Sequence, residues 1–223
     1  DCQWACPAHT PVPEYIRLIA QGRYDGAYMV NWYSNVFPGI LGRTCDRPCE
    51  PACRRVRVEE GSPEHRKAHA KPEAVAICRL KRAAADYKGD IRPHLPKPAA
   101  KGNGKRVALV GAGPASLTVA RDLAPHGYQC VVFDGDPKAG GMMRTQIPKF
   151  RLPDRVIDEE CGYVLDLGVE FRAGTRVDSM ASLLAEGYDA VFVGSGAPRG
   201  RDLDIPGRRE AAKRIHIGID WLS

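Results

Sequence analysis

The sequence predicts an α-helical segment followed by an α/β segment built on a parallel sheet. Three observations carry that expectation. Six of the eight cysteines fall within the first 78 residues. After Lys105 the hydrophobic pattern changes to alternating strands and helices, and a glycine turn marks the first strand–helix junction. The chain has 223 residues, 43% of them hydrophobic and 27% charged, so it can bury a core and lacks the composition of a disordered segment. No uncharged apolar stretch approaches the ~18 residues of a membrane span. The net charge of +6 is mild and scattered. No basic stripe interleaved with aromatics marks a nucleic-acid surface, so no nucleic-acid partner is expected.

In chain order, residues 13–32 carry apolar Tyr15, Ile16, Ile19 and Ala20, then Ala27, Tyr28 and Val30. That is helical spacing interrupted at Gly22 and Gly26, hence two short helices. Residues 36–55 hold too many Gly and Pro for a helix interior and are expected as loop. Residues 61–72 are polar and expected to be mobile. The stretch 73–87 is an amphipathic helix with Val75, Cys78, Leu80 and Ala84 available for a buried face. Pro, Gly and Lys dominate 88–104, which is expected as a linker between a domain at 1–87 and one at 105–223. From Lys105 onward the strand at 107–110, the helix after the glycine turn and an apolar strand ending at Asp134 form a βαβ unit; a further helix–strand pair and another follow. Apolar strands of this kind mean a parallel sheet covered on both faces.

The glycine turn, Gly111-Ala112-Gly113-Pro114-Ala115-Ser116, has the spacing of a Rossmann-like dinucleotide fingerprint, with Ser116 in place of the third glycine. The first glycine permits a tight turn, and the second lets backbone N–H groups approach a pyrophosphate at a helix N-terminus. Asp134, 18 residues past Ser116, can accept from a ribose hydroxyl. A second turn, Gly140-Gly141-Met142-Met143-Arg144, has no standard use in a NAD site, whereas a flavin's diphosphate and ring have use for both turns. The fingerprint itself leaves FAD and NAD open.

Cys2, Cys6, Cys45, Cys49, Cys53 and Cys78 suit metal ligation in a reducing, cytoplasmic setting better than a disulfide framework. Zinc is the weaker metal, because Cys45, Cys49 and Cys53 at a uniform spacing of four, with Pro48 and Pro51 between, do not form two knuckles. Cys130 and Cys161 fall on a strand and an apolar helix face, as core cysteines do. The six histidines form no ligand pattern.

The motifs CQWACP, GRTCDRPCEPACRR, VAICRLKRAAADY, VALVGAGPASLTVARDL, VVFDGDPKAGGMMRTQIPKFRLP and YDAVFVGSGAPRGRDLDIPG, in this order, resemble the glutamate synthase small (beta) subunit. They are also similar to the N-terminal part of dihydropyrimidine dehydrogenase and to flavin subunits of related electron-transfer complexes. The resemblance runs over nearly the whole chain. It implies a helical iron–sulfur domain with two 4Fe–4S clusters, then a Rossmann-like FAD-binding domain, exchanging electrons between NAD(P)H and a partner, either a ferredoxin-like or a catalytic subunit of a redox complex.

Carried over, one cluster takes Cys6, Cys45 and Cys49. Its fourth ligand in relatives is a Glu or Gln at the position of Lys81, which cannot ligate iron while protonated, so Cys78, one turn earlier, is the candidate. The other cluster takes Cys2 and Cys53 with two ligands from beyond these residues. The resemblance thus implies a chain incomplete at both ends. Arg43, Arg47, Arg54, Arg55 and Arg57 either offset the cluster charge or form a solvated face. The implied FAD contacts are Gly111 to Ser116, Asp134, Gly140, Gly141, Met142, Arg144, Val177, Ser195 and Gly196. No residue need act as a catalytic acid or base. The competing reading is a non-catalytic module that carries its cofactors within a larger assembly.

Overall fold

The structure, a computed structural model, describes residues 1–56 and 73–222. The expectation of mobility at 61–72, and Arg57, lie outside the described residues. The chain forms two compact units, Asp1–Leu95 and Pro96–Ser223.

The first unit is helical: α1 (Cys2–Ala5), α2 (Val12–Ala20), α3 (Tyr24–Asn35), α4 (Pro38–Thr44) and α5 (Ile77–Tyr87). Both helices expected within 13–32 form, and they part at Gly22, where the Arg23 N–H returns to the Leu18 carbonyl at 2.9 Å. The stretch 36–55 is not all loop, because α4 occupies its first half. Two physical facts override the Gly and Pro content. Pro38 stands in the first turn, where its missing N–H costs no hydrogen bond. Gly42 is buried where α4 crosses α5, and a Cβ there would sit 2.8 Å from the Arg82 Cα. Close helix contact therefore outweighs helix propensity.

The α5 face also differs from expectation. Ile77, Cys78, Lys81, Ala84 and Ala85 are buried, while Val75 and Leu80 are only partly covered. Tyr15, Leu18, Ala27, Cys49, Ile77 and Ala84 pack as this unit's core, and the Tyr15 hydroxyl donates to the Ile77 carbonyl at 3.1 Å. Arg43 (side chain 3% exposed) pairs with Asp86 at 2.6 Å, binding α4 to α5 a second time. Residues 88–95 pack with this unit: Ile91 and Leu95 are buried, and the Gly89 N–H donates to Asp25 Oδ1 at 2.7 Å.

The second unit contains β1 (Arg106–Val110), α6 (Pro114–Leu123), β2 (Gln129–Phe133), α7 (Met142–Thr145), α8 (Asp154–Leu165), β3 (Glu170–Arg172), α9 (Met180–Ala185), β4 (Ala190–Val193) and α10 (Gly218–Leu222). Its strands form a parallel sheet in the order β3-β2-β1-β4, with Val110 opposite both Phe133 and Val193. Alternate residues serve opposite faces. Ala108, Val131 and Phe133 pack with Leu183 and Tyr188. The central strands β1 and β2 are buried on both faces, while the edge strands β3 and β4 are half-covered. Cys130 and Cys161 are core residues, and burial pushes their thiols up to about 11 and about 12. Among the described residues no helix is long and apolar enough to cross a membrane.

Candidate cofactor sites

In the helical unit, each predicted cysteine sits at an element boundary or turn. Cys6 caps the end of α1, Cys45 caps α4, Cys49 and Cys53 lie in the turns after it, and Cys78 opens α5. Cys49, Cys53 and Cys78 are buried; Cys2, Cys6 and Cys45 are half-buried. Four of these thiols act on one another: Cys78 feels Cys45 and Cys49 and is hydrogen-bonded with Cys45, while Cys49 feels Cys45 and Cys6. Cys2, Cys6, Cys49 and Cys78 all act on the Tyr15 hydroxyl.

Burial, with the neighbouring Cys45 adding to it, pushes the Cys78 thiol up to about 12; burial likewise lifts Cys49 to about 11. Cys6 runs the other way. Burial raises it, but hydrogen bonding with the Thr10 side chain and backbone outweighs that and lowers it. The Cys6 Sγ and the Thr10 hydroxyl are hydrogen-bonded at 3.4 Å, and the same hydroxyl oxygen accepts from Asn35 and Ser34, so Thr10 anchors the Cys6 end to α3.

Among the described residues no group of three or more His, Cys, Asp or Glu side chains is gathered tightly enough for a single metal ion. A 4Fe–4S cubane binds each thiolate through a different iron, so its sulfurs stand farther apart and the donor set suits it. The backbone contributes as well. Arg47 takes a left-handed φ of +64°, uncommon for a side-chain-bearing residue, and its N–H thereby donates to Cys45 Sγ at 3.3 Å.

Glu50, which sequence reasoning passed over, and Lys81, which it set aside as a ligand, both belong to this site. Glu50 Oε1 accepts from the Cys78 N–H at 3.0 Å, joining the cysteine loop to the first turn of α5. Lys81 is buried at 5% exposure, and its charge acts on Cys6, Cys49 and Cys78. The helical period already places Lys81 on the face of Cys78; nothing in the sequence signals Glu50. Of the arginines weighed as charge offsets, Arg43 is committed to Asp86 and Gly39, and Arg47 stands 4.0 Å from Glu50; Arg54 and Arg55 are exposed. A hollow of about 740 Å³ in the same unit, lined by Tyr24, Tyr33, Tyr87 and His94 among others, contains none of the predicted ligands.

In the α/β unit the predicted nucleotide residues meet at the C-terminal ends of β1, β2 and β4, where the strand order reverses. Gly111 has φ +95°, and a Cβ there would sit 2.5 Å from the Gly194 carbonyl and 3.1 Å from Ser195. The second turn lies directly on the first. A Cβ on Gly141 would be 3.0 Å from the Gly113 Cα, and the Gly140 N–H donates to the Ala112 carbonyl at 2.9 Å. The Ala112 N–H donates in turn to Asp134 Oδ2 at 2.5 Å, and Asp134 Oδ1 accepts from Asp136 N–H at 2.8 Å. Each carboxylate oxygen keeps a further lone pair for a ribose hydroxyl.

Ser116 is fully buried with its Oγ unpartnered, packed against Gly194; its part is helix–strand contact rather than a ligand hydroxyl. Met142 lies beside Gly196, and Val177 packs on the core by Phe133. Arg144 is bound within the chain. Its Nε and Nη2 donate to the Ala139 carbonyl, and its Nη atoms reach Asp154 at 3.1 Å and Asp158 at 2.6 Å. Most of its donors are spent within the chain, and its bonds to the Ala139 carbonyl brace the Gly140–Gly141 turn. The glycines let the two turns pack on each other and against Gly194, and backbone N–H groups at the start of α6 are the donors that a dinucleotide diphosphate requires.

Comparison with known proteins bears on both units. Residues 1–92 match the family described as dihydropyrimidine dehydrogenase domain II, 4Fe-4S cluster, and residues 109–185 match the NAD(P)-binding Rossmann-like domain family. Over 99% of its length the chain is 34% identical to the NADP(+)-dependent formate dehydrogenase subunit beta of Moorella thermoacetica, covering 33% of that protein. It is likewise 34% identical to the NADPH-Fe(3+) oxidoreductase subunit beta of Geobacter sulfurreducens, covering 32% of it. The glutamate synthase [NADPH] small chain of Mycobacterium tuberculosis is 32% identical, with 43% of its length covered. The chain therefore spans from about a third to less than half of the length of these relatives.

Proposed function

We propose that this chain, related along its whole length to iron–sulfur and NAD(P)-binding oxidoreductase subunits, relays electrons between a pyridine nucleotide and a partner subunit through FAD and 4Fe–4S clusters. The observation that supports this most is one chain bearing both an interacting set of cysteines and a glycine cradle at a sheet switch point. FAD, when bound, supplies the exchange between two-electron and one-electron steps. The chain's own work is positional. Gly111, Gly113 and Gly141 admit the diphosphate, Asp134 holds the glycine turn and faces the ribose, and Arg144 keeps the second turn in place. Cys6, Cys45, Cys49 and Cys78 would hold one cluster; Cys2 and Cys53 would contribute to a second, completed by ligands from elsewhere.

The preference for FAD over NAD in the cradle rests on the stacked Gly140–Gly141 turn and the resemblance. A ferredoxin-like protein or the catalytic subunit of a complex is the expected electron partner. Iron, sulfide and flavin analysis of the anaerobically purified protein tests the proposal, followed by bleaching with NADH or NADPH. Cys78→Ala should lose iron while Cys130→Ala keeps it. Recovery of NAD rather than FAD from folded protein, or full iron content in Cys78→Ala, refutes the respective assignment. Cofactors that stay oxidised under both nucleotides favour a module that carries them without turnover.

A further inference from the structure

Lys81 is 5% exposed, and among the described residues none is hydrogen-bonded to its side chain. Two carboxylates of this unit are bound elsewhere: Asp86 to Arg43 and Arg82, and Glu50 to the Cys78 N–H. Among the described residues no carboxylate forms an ion pair with Lys81. An ammonium is a compact, strongly hydrated charge, and removing it from water is costly unless an anion shares the pocket. Three residues after Cys78 on α5, Lys81 lies on the same helix face as that thiol, and its charge reaches Cys6 and Cys49 as well. Thiols held neutral provide no such anion. Thiolates bound to iron do.

We propose that Lys81 is the built-in counter-charge of the cluster held by Cys6, Cys45, Cys49 and Cys78, a positioning residue that favours the reduced state and so raises the reduction potential. The inference rests on the cluster reading above. Each reduction adds one electron, and therefore one negative charge, beside the Lys81 side chain; a chemical reductant supplies the electron in the test. Fixed positive charge near the sulfurs lowers the free energy of the more negative state.

The anaerobically purified protein, Lys81→Met, Lys81→Gln and Lys81→Arg are compared by iron and sulfide content and by an EPR-monitored dithionite titration. In the neutral variants the reduction equilibrium should shift at least tenfold toward the oxidised form at unchanged iron content, equivalent to a potential lower by about 59 mV for one electron. Lys81→Arg should stay within about threefold of the parent. Loss of iron in both neutral variants but not in Lys81→Arg also supports the counter-charge, because charge alone then holds the cluster. An unshifted potential in the neutral variants overturns it, as does loss of iron in all three variants, which would make side-chain shape the requirement. Absence of iron and sulfide from the parent protein overturns the cluster reading itself, and that result is in hand before any variant is made.

Discussion

Gly42→Ala sets helix propensity against packing, and the two predict opposite signs. In an exposed helix interior the change stabilises by about 0.5–1 kcal/mol. Gly42, however, is buried against α5, and the new Cβ would meet the Arg82 Cα and N at 2.8 Å and its Cβ at 2.9 Å. Carbon atoms in ordinary contact stand at about 3.5–4.0 Å, so α4 and α5 must separate by several tenths of an ångström or more. Two of the three atoms are backbone, which cannot swing aside as a side-chain tip does. Overpacking of this kind costs about 1–3 kcal/mol, which outweighs the propensity gain at most of that range. In a unit of 95 residues, each kcal/mol moves Tm by about 4–8 °C. The matched control is Gly162→Ala within α8, where an added Cβ meets nothing within 4 Å and propensity acts alone. Circular dichroism melts of both variants decide the matter. Gly162→Ala should melt no lower than the parent, and Gly42→Ala lower. If Gly42→Ala is as stable as the parent or more so, the close-contact account of α4 is wrong.

Two further outcomes are expected. Asp86→Ala removes the carboxylate facing a guanidinium only 3% exposed; because Asp86 is itself one-third exposed, the cost should fall near 2 kcal/mol, below the ~3–5 kcal/mol of a wholly buried pair. Although partial burial raises the Asp86 carboxyl, hydrogen bonds from Arg43 and Arg82 outweigh it and hold it below its ordinary value. Its contribution is therefore complete above about pH 4 and disappears as pH falls through the lowered folded-state value, so urea midpoints of parent and variant should converge in acid. Ser116→Ala should leave stability unchanged or raise it by up to about 1 kcal/mol in urea melts, since it removes a buried hydroxyl with no partner; a loss of more than that would reveal a hydrogen bond at Oγ.

Much of the α/β unit was legible because its signals are local. A strand, a glycine turn and an acid at the next strand end require one another within a few residues, and the structure joins them through the Ala112 amide. The helical unit was harder. Its α4 is set by a contact between residues 42 and 82, and no period within 36–55 reports a helix 40 residues away. Glu50 escaped notice for the same reason, since its bond to the Cys78 N–H spans 28 positions. Arg144 is a third case: a cation after a double glycine does not announce its bonds to Asp154 and Asp158, ten and fourteen residues on. Lys81 was visible as a charge on a helix, but its burial depends on what surrounds α5.

The Ala112 peptides carry one more implication. Its N–H is held by the end of β2, and its carbonyl by the Gly140 N–H of the second turn, so neither flanking peptide can rotate without breaking a bond to a different segment. A loop pinned at both polar groups arrives at its ligand already ordered. Association then forfeits little conformational entropy in the cradle, and affinity there is governed by the fit of donors to diphosphate rather than by induced closure.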